Sequence, residues 1–208
     1  MKLLVLGGTG GTGRHVVTQA LDTGHDVTVL ARDRARAGVQ HERLRLVDGD
    51  VKNTAALVDA MRGQDAVISA IGRGKSFKSE NLIAESVPGI IAAMQKSGVR
   101  RLIFTSAFGV GETFRDAPLL QKIFIRTLLR GIYADKIIGD QMIRQSGLDW
   151  TIAQPAALTD GPLTKTYRVG EHLPLSGIAS VSRADTAHFI VDCISDRSTF
   201  GKTLILSN

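Results

Sequence analysis

The sequence predicts an α/β fold: a doubly wound, mostly parallel sheet of about seven strands with helices on both faces, built as one domain over residues 1–208. Three observations carry that expectation. Short apolar runs alternate with helix-period stretches from end to end, as crossover connections in a parallel sheet require. Several runs are nearly continuous in Val, Ile and Leu, the pattern of strands buried on both faces. A cluster of glycines separates the first run from the first helical stretch.

Strands are expected at Lys2–Leu6, Asp26–Ala31, Leu44–Val47, Ala66–Ala70, Leu102–Thr105, Trp150–Ala153 and Thr203–Leu206. Between them Val16, Val17, Ala20 and Leu21 fall at helical spacing, as do Ala56, Leu57 and Met61, then Ile90, Ile91 and Met94. Ile137, Ile138 and Met142 follow, and Ala187, Ile190, Val191 and Ile194 close the series. Gly24, Gly98 and Gly147 each end a helical stretch just before a strand, where a left-handed cap is wanted. Ser182 and Asp185 have capping-box spacing at the start of the last helix. Pro88 falls inside a helical stretch and predicts either a kink or the true helix start. Residues 155–178 carry three prolines and three glycines without clear periodicity, and are read as a substrate-covering loop.

Composition narrows the class. With 43% hydrophobic and 22% charged residues, disorder and fibrous rods are excluded, and 208 residues suffice to bury a core without staples. Cys193 stands alone and the five histidines are scattered, so neither a disulfide scaffold nor a metal site is expected. A reducing, cytoplasmic setting follows. The opening apolar run stops at Gly7, too short for a signal peptide, and no run approaches the ~20 residues needed to span a bilayer. Twenty-six basic against twenty acidic residues give +6, which attracts anions. Nucleic acid is not expected as a partner, because aromatics are few and no recognition motif is present. A phosphorylated small molecule fits better. The segment from Leu119 to Arg130 is apolar with interleaved basic residues; it is read as a packing or subunit-contact helix forming one wall of a substrate pocket, with membrane-surface binding as the alternative.

Directly after the first strand stands Gly7-Gly8-Thr9-Gly10-Gly11-Thr12-Gly13, and a helix follows. Glycines allow a tight turn and close approach of a pyrophosphate, while the free amides and dipole of the helix start attract its charge. Gly7, Thr9, Gly10, Gly11, Thr12 and Gly13 are therefore candidate dinucleotide-binding residues. The context of strand, glycine turn and helix is what distinguishes such a fingerprint from an ordinary tight turn.

The spacing of Gly7, Gly10 and Gly13, at this distance from the start, resembles the extended and atypical short-chain dehydrogenase/reductase families. The resemblance extends through Gly49-Asp50-Val51, similar to the family's adenine-contacting turn, and through Ser69-Ala70-Ile71-Gly72 after the fourth strand. Phe104-Thr105-Ser106-Ala107 resembles the fifth strand with its active-site serine, and Ser146 to Ile152 the approach to the sixth. It is closest to the small NAD(P)H-binding reductases typified by biliverdin-IXβ/flavin reductase. A Rossmann-like fold and cofactor contacts from Asp50, Val51, Ala70, Ile71 and Gly72 are what the resemblance implies. Gln154-Pro155-Ala156-Ala157-Leu158 resembles the turn beside the nicotinamide, with Gln154 where arginine is common; Pro155, Ala156, Ala157 and Leu158 join the candidates.

At the end of the second strand, NAD-dependent relatives carry an acid where this chain has Ala31, followed by Arg32, with Arg34 and Arg36 nearby. Guanidinium groups match phosphate geometry, so Arg32 and Arg36 favour NADP(H) over NAD(H). Asp33 is the one residue of the loop that could instead meet the ribose.

Family members use a serine with a tyrosine and a lysine four residues apart. Ser106 matches the serine and Lys136 the lysine, and both are also expected at the cofactor; but the position four before Lys136 is Ile132, and Tyr133 lies one place off. Ser106, Lys136 and Tyr133 are the candidate catalytic residues, with Tyr133 rotated by ~100° from the usual direction. Lys136 paired with Asp140 on a surface helix is the competing reading. A conjugated acceptor can be protonated by water after hydride arrives, so a missing tyrosine fits a flavin, quinone or tetrapyrrole reductase. The expected function is NADPH-dependent reduction of such a small molecule by a monomer or homodimer. An NADP(H)-binding redox sensor without turnover is the alternative. Sugar-nucleotide epimerase or dehydratase chemistry is disfavoured by the lack of a C-terminal substrate domain.

Overall fold

All seven expected strands form in the computed structural model, which describes residues 1–72, 74, 80–177 and 179–208. They are β1 (Lys2–Leu6), β2 (Asp26–Ala31), β3 (Leu44–Asp48), β4 (Ala66–Ser69), β5 (Arg101–Thr105), β6 (Asp149–Pro155) and β10 (Lys202–Ser207). Every pairing among these seven is parallel. Three further strands arise late in the chain: β7 (Ala157–Thr159), β8 (Arg168–Gly170) and β9 (Ser180–Ser182). The main sheet runs β3-β2-β1-β4-β5-β6-β10-β8, with β8 antiparallel to β10 at the edge, while β7 and β9 form a separate parallel pair. The sheet thus has eight strands rather than seven.

The period-2 alternation of each strand separates two cores. Leu3 and Val5 of β1 face α1 (Gly11–Asp22) and α6 (Arg183–Asp192), in a cluster with Val16, Ala187 and Ile190. Leu4 and Leu6 face the other way, toward α2 (Thr54–Met61), α3 (Leu82–Ser97) and α5 (Arg130–Arg144), in a cluster with Leu57, Ile90 and Ile143. Burial on both faces is why the runs were continuous rather than alternating. A fourth helix on this part of the chain, α4 (Leu119–Thr127), leaves most of its apolar residues outward.

Helix ends follow the punctuation. Gly24, Gly98 and Gly147 all have positive φ beyond their helices. Ser182 Oγ accepts the Asp185 N–H at 2.9 Å, as its spacing predicted. The Asp185 carboxylate, however, does not complete a capping box. It accepts the amides of Thr164 and Lys165 and the Thr164 hydroxyl, so it pins the long 155–178 segment to the start of α6. Those donors, with Ser182 Oγ, outweigh its burial and hold its carboxyl below the usual range. Pro88 neither starts nor ends α3, which begins six residues earlier. The α3 start is capped from another helix: Asp135 of α5 accepts the amides of Ile83 and Ala84 at 3.1 and 2.8 Å. The 155–178 segment is less of a loop than its composition implied, since it holds β7 and β8; Ile178, its last residue, lies outside the described residues.

The N-terminal edge of the sheet is fastened by one buried cation. Arg101 donates to the carbonyls of Ile194, Asp149 and Cys193 and to the hydroxyls of Thr151 and Thr199, and its guanidinium lies 4.0 Å from the Phe200 ring centre. Burial lowers its pKa to about 10, yet all three of its nitrogens donate. Removing it leaves several buried acceptors without partners. Arg101→Met is expected to lose about 3 kcal/mol of stability in denaturant titration, with dinucleotide binding at the opposite edge unchanged in the folded fraction.

Candidate functional site

The strand order reverses between β1 and β4, which leaves a crevice over their C-terminal ends. The glycine turn fills one side of it. Gly7 has φ +79°, and a Cβ there would lie 2.6 Å from the Ala70 carbonyl oxygen at the end of β4. A Cβ on Gly13 would lie 2.1 Å from the Gly7 carbonyl oxygen. These two positions accept no other residue without moving backbone, and they bring the α1 start, the β1 end and Ala70-Ile71-Gly72 into one cradle. Gly10 N–H donates to Gly7 at 3.0 Å, and the N-cap Gly10 offers no side chain to the first amides of α1. Those amides are left for an anion. The extra glycines also have causes: Gly8 approaches Val29 and Val17, while Gly11 lies under the Arg183 side chain.

Arg183, the first residue of α6, is a residue to which the sequence reading gives no role. Its guanidinium packs on the glycine turn and bonds Asp160 at 2.6 Å. Beyond the end of β2, Asp33 is committed to the Ala35 amide as the cap of a short 3-10 turn, and Arg34 faces Asp48 at 3.5 Å. Arg32 and Arg36 are exposed. The Arg36 carbonyl accepts from Arg14, which ties this loop to α1. Asp50 accepts the Lys52 amide within its own turn, beside Val51.

Past β5 and β6 opens an apolar cavity of about 780 Å³. Ser106, Phe108, Pro155 to Leu158, Ile132, Tyr133 and the apolar face of α4 line it, so the wall expected of the 119–130 segment is present. Tyr133 presents its ring, but its hydroxyl donates to the Phe108 carbonyl at 2.9 Å, and burial pushes its pKa up to about 12. Lys136 is half-buried, does not line the cavity, and makes no hydrogen bond or ion pair with a described residue; burial lowers its pKa, with Asp140 and Asp135 opposing. His172, in the 155–178 segment, turns to Arg115 and a second, smaller cavity.

The residue the sequence missed is Asp140. It forms no ion pair with Lys136. It is buried behind Ser106, whose Oγ donates to Oδ2 at 3.0 Å, and Gln154 Nε2 donates to the same oxygen at 3.1 Å. Oδ1 is buried and has no hydrogen-bond partner among the described residues. Burial raises the Asp140 pKa to about 6, against the pull of Lys136, Ser106, Gln154 and Arg144. Ser106 is itself held by backbone, its amide donating to Ala153 of β6.

A family model described as NAD(P)H-binding matches residues 7–197. The chain belongs to this NAD(P)H-binding family. It is 29% identical to the photosystem II assembly factor Ycf39 of Synechocystis over 98% of its own length, but spans only 61% of that protein. It is 26% identical to phenylcoumaran benzylic ether reductase PT1 of Pinus taeda, over 99% of this chain and 68% of the relative. The structure of ChuY, an anaerobilin reductase of Escherichia coli O157:H7, superposes with a TM-score of 0.82 at 21% identity, covering 99% of this chain and 96% of ChuY. The family reading agrees with the cradle: a nicotinamide dinucleotide fits where Cβ atoms are forbidden and helix amides are free.

Two outcomes follow from this geometry. Gly13→Ala should abolish dinucleotide binding in a fluorescence titration, because its methyl group collides with backbone rather than with a movable side chain. Asp140, whose native pKa exceeds its usual 3.8, is penalised in the folded state once ionised; the penalty is absent below pH ~4 and complete above pH ~6. Asp140→Asn should therefore gain up to about 3 kcal/mol relative to the parent chain as pH rises across that window, read as the difference in unfolding free energy.

Proposed function

We propose that this protein is an NADP(H)-dependent reductase that delivers hydride to a flat, conjugated small molecule such as a flavin, a quinone or a linear tetrapyrrole. The observation that carries the reading is the cavity: it is apolar, Ser106 stands in its lining, and the hydroxyl of Tyr133 in its wall is bonded to backbone. An isolated carbonyl needs such an acid in its transition state, whereas an extended π-system spreads the incoming charge and demands chiefly positioning. The resemblance to a benzylic ether reductase, and the fold shared with an anaerobilin reductase, support reductive chemistry on aromatic or conjugated substrates. In this reading Gly7 to Gly13 hold the diphosphate, Asp50, Val51 and Ala70 to Gly72 border the adenosine and its linker, and Pro155 to Leu158 border the nicotinamide. Residues 155–178 cover the acceptor.

The preference for NADP(H) rests on Arg32. Asp33 is turned away into its own cap and Arg34 is engaged by Asp48, which leaves Arg32 and Arg36 to meet a 2′-phosphate. A second reading, a dinucleotide-binding sensor without turnover, is favoured by the committed Tyr133 hydroxyl and by the resemblance to an assembly factor.

The test combines binding and turnover. Calorimetry should show NADPH binding tighter than NADH, and Arg32→Ala should weaken NADPH about tenfold while leaving NADH unchanged. Equal affinity for both dinucleotides removes the arginine assignment. Nicotinamide absorbance should fall with at least one of a flavin, a naphthoquinone or biliverdin; equal binding of both redox forms without turnover selects the sensor.

A further inference from the structure

Behind the cavity wall lies a buried acid that neither the glycine cradle nor the packing of the sheet uses. Asp140 sits on α5 with one oxygen unpartnered and the other shared by Ser106 and Gln154. Gln154 cannot exchange a proton with it. The Gln154 amide is fixed by Thr113, whose hydroxyl donates to Oε1 at 2.6 Å, and by the Val110 carbonyl, which accepts from Nε2 at 3.1 Å. Turning the amide over would set its oxygen against the Val110 carbonyl oxygen, acceptor against acceptor. Among the described residues, the one contact of Asp140 that can both give and take a proton is therefore the Ser106 hydroxyl, and Ser106 faces the cavity.

We infer that Ser106 is the proton donor to the reduced acceptor and that Asp140 is the reservoir that recharges it. This rests on the reductase reading above. Bound dihydronicotinamide supplies the hydride, that is, two electrons and one hydrogen. The Ser106 O–H bond breaks as its proton passes to the anionic heteroatom of the acceptor. The Asp140 O–H bond breaks as its proton passes to Ser106 Oγ, leaving Asp140 a carboxylate and Ser106 neutral. A water proton restores Asp140 once the product has left. Ser106 is the catalytic residue of this step and Asp140 acts through it.

The surroundings keep Asp140 able to hold that proton. From its own helix the facing charges are Lys136 and Arg144, and the Arg144 guanidinium also donates to Thr203. From β5 and β6 the facing groups are Ser106 and Gln154, both uncharged. From α3, Ile83 and Val87 pack against the neighbouring Gly139 and bring no charge. Desolvation outweighs the two cations, so the acid titrates near neutrality instead of remaining ionised.

The experiment reads the acid directly as well as through turnover. Infrared difference spectra of the protein across pH 4–8, without cofactor, should show a protonated carboxyl stretch that disappears near pH 6, is missing in Asp140→Asn and is shifted in Ser106→Ala. With NADPH and whichever of the flavin, naphthoquinone or biliverdin turns over, kcat of the parent should fall about tenfold per pH unit above that point. Both variants should be slower at pH 5 with flat profiles, and in Asp140→Asn, whose side chain lies outside the cradle and the cavity lining, NADPH affinity should stay within about twofold. Should Asp140→Asn fail to fold, Ser106→Ala alone carries the kinetic test. Turnover with an unchanged pH profile in the variants, or no such carboxyl band, overturns the relay alone. Absence of turnover with every acceptor removes the relay and the reductase reading together.

Discussion

The backbone of Gly13 passes so close beneath Gly7 that not even a methyl group fits between them, and the rest of the upper face is arranged around that contact. It sets the first turn of α1 directly over the end of β1, and Gly7 in turn abuts the carbonyl of Ala70 at the end of β4. The strand order reverses at this point, so no helix crosses above it and the crevice stays open. Polar backbone left unpaired inside a protein is expensive; here the helix amides are unpaired at a surface, where an anion rather than a side chain can satisfy them. The glycines therefore do more than permit a turn: at the N-cap, Gly10 leaves the first amides of α1 without a capping side chain.

Two buried polar clusters, at opposite edges of the same sheet, show how differently the fold treats charge. At the N-terminal edge each of the three Arg101 nitrogens has at least one acceptor, and an aromatic ring lies beneath the guanidinium. At the C-terminal edge Asp140 retains an unpartnered oxygen in an equally dry setting. The same fold thus engages all three nitrogens of one buried ion and leaves one oxygen of another without a donor. The incomplete one lies one hydrogen bond from the cavity, the pattern expected where local stability yields to chemistry. The sheet's rigid pairing makes this tolerable, since Ser106 and Phe108 are held to β6 by backbone bonds that do not depend on Asp140.

The parallel sheet was legible because strands buried on both faces leave continuous apolar runs, and the glycine turn because its chemistry is local. What escaped was set by tertiary contact. β7 and β8 are three residues each and largely exposed, too short and too wet for periodicity to register. The competing reading pairs Asp140 with Lys136 because four-residue spacing puts them on one helical face. That face is turned inward: Gly139 beside it touches Ile83 and Val87 of α3, and Asp135 caps α3 from the same helix. Two acids and a glycine on the buried side of a helix read as a solvated surface until its neighbour is known. Arg183 was hidden likewise, since the space for it is made by a glycine more than 170 residues earlier in the chain.

The departure from the family's tyrosine also reshapes the cavity. Ile132 stands where that hydroxyl is expected, and it lines the wall beside the Tyr133 ring, whose own hydroxyl is turned to backbone. Across from it α4 contributes Leu120, Ile123 and Phe124, of which Leu120 remains 72% exposed. Such an apolar wall open to water gains free energy from whatever covers it, at roughly 25 cal/mol per Å² of apolar surface removed from solvent. A small polar substrate would recover little of that, whereas a flat conjugated ring system would recover much. Replacing one hydroxyl by a branched alkyl group thus changes two things at once: it removes an acid and it enlarges the surface that selects an apolar ligand. Of the polar side chains that line the cavity among the described residues, which include Gln121, Thr127 and Arg183, Ser106 is the one that hydrogen-bonds a buried acid.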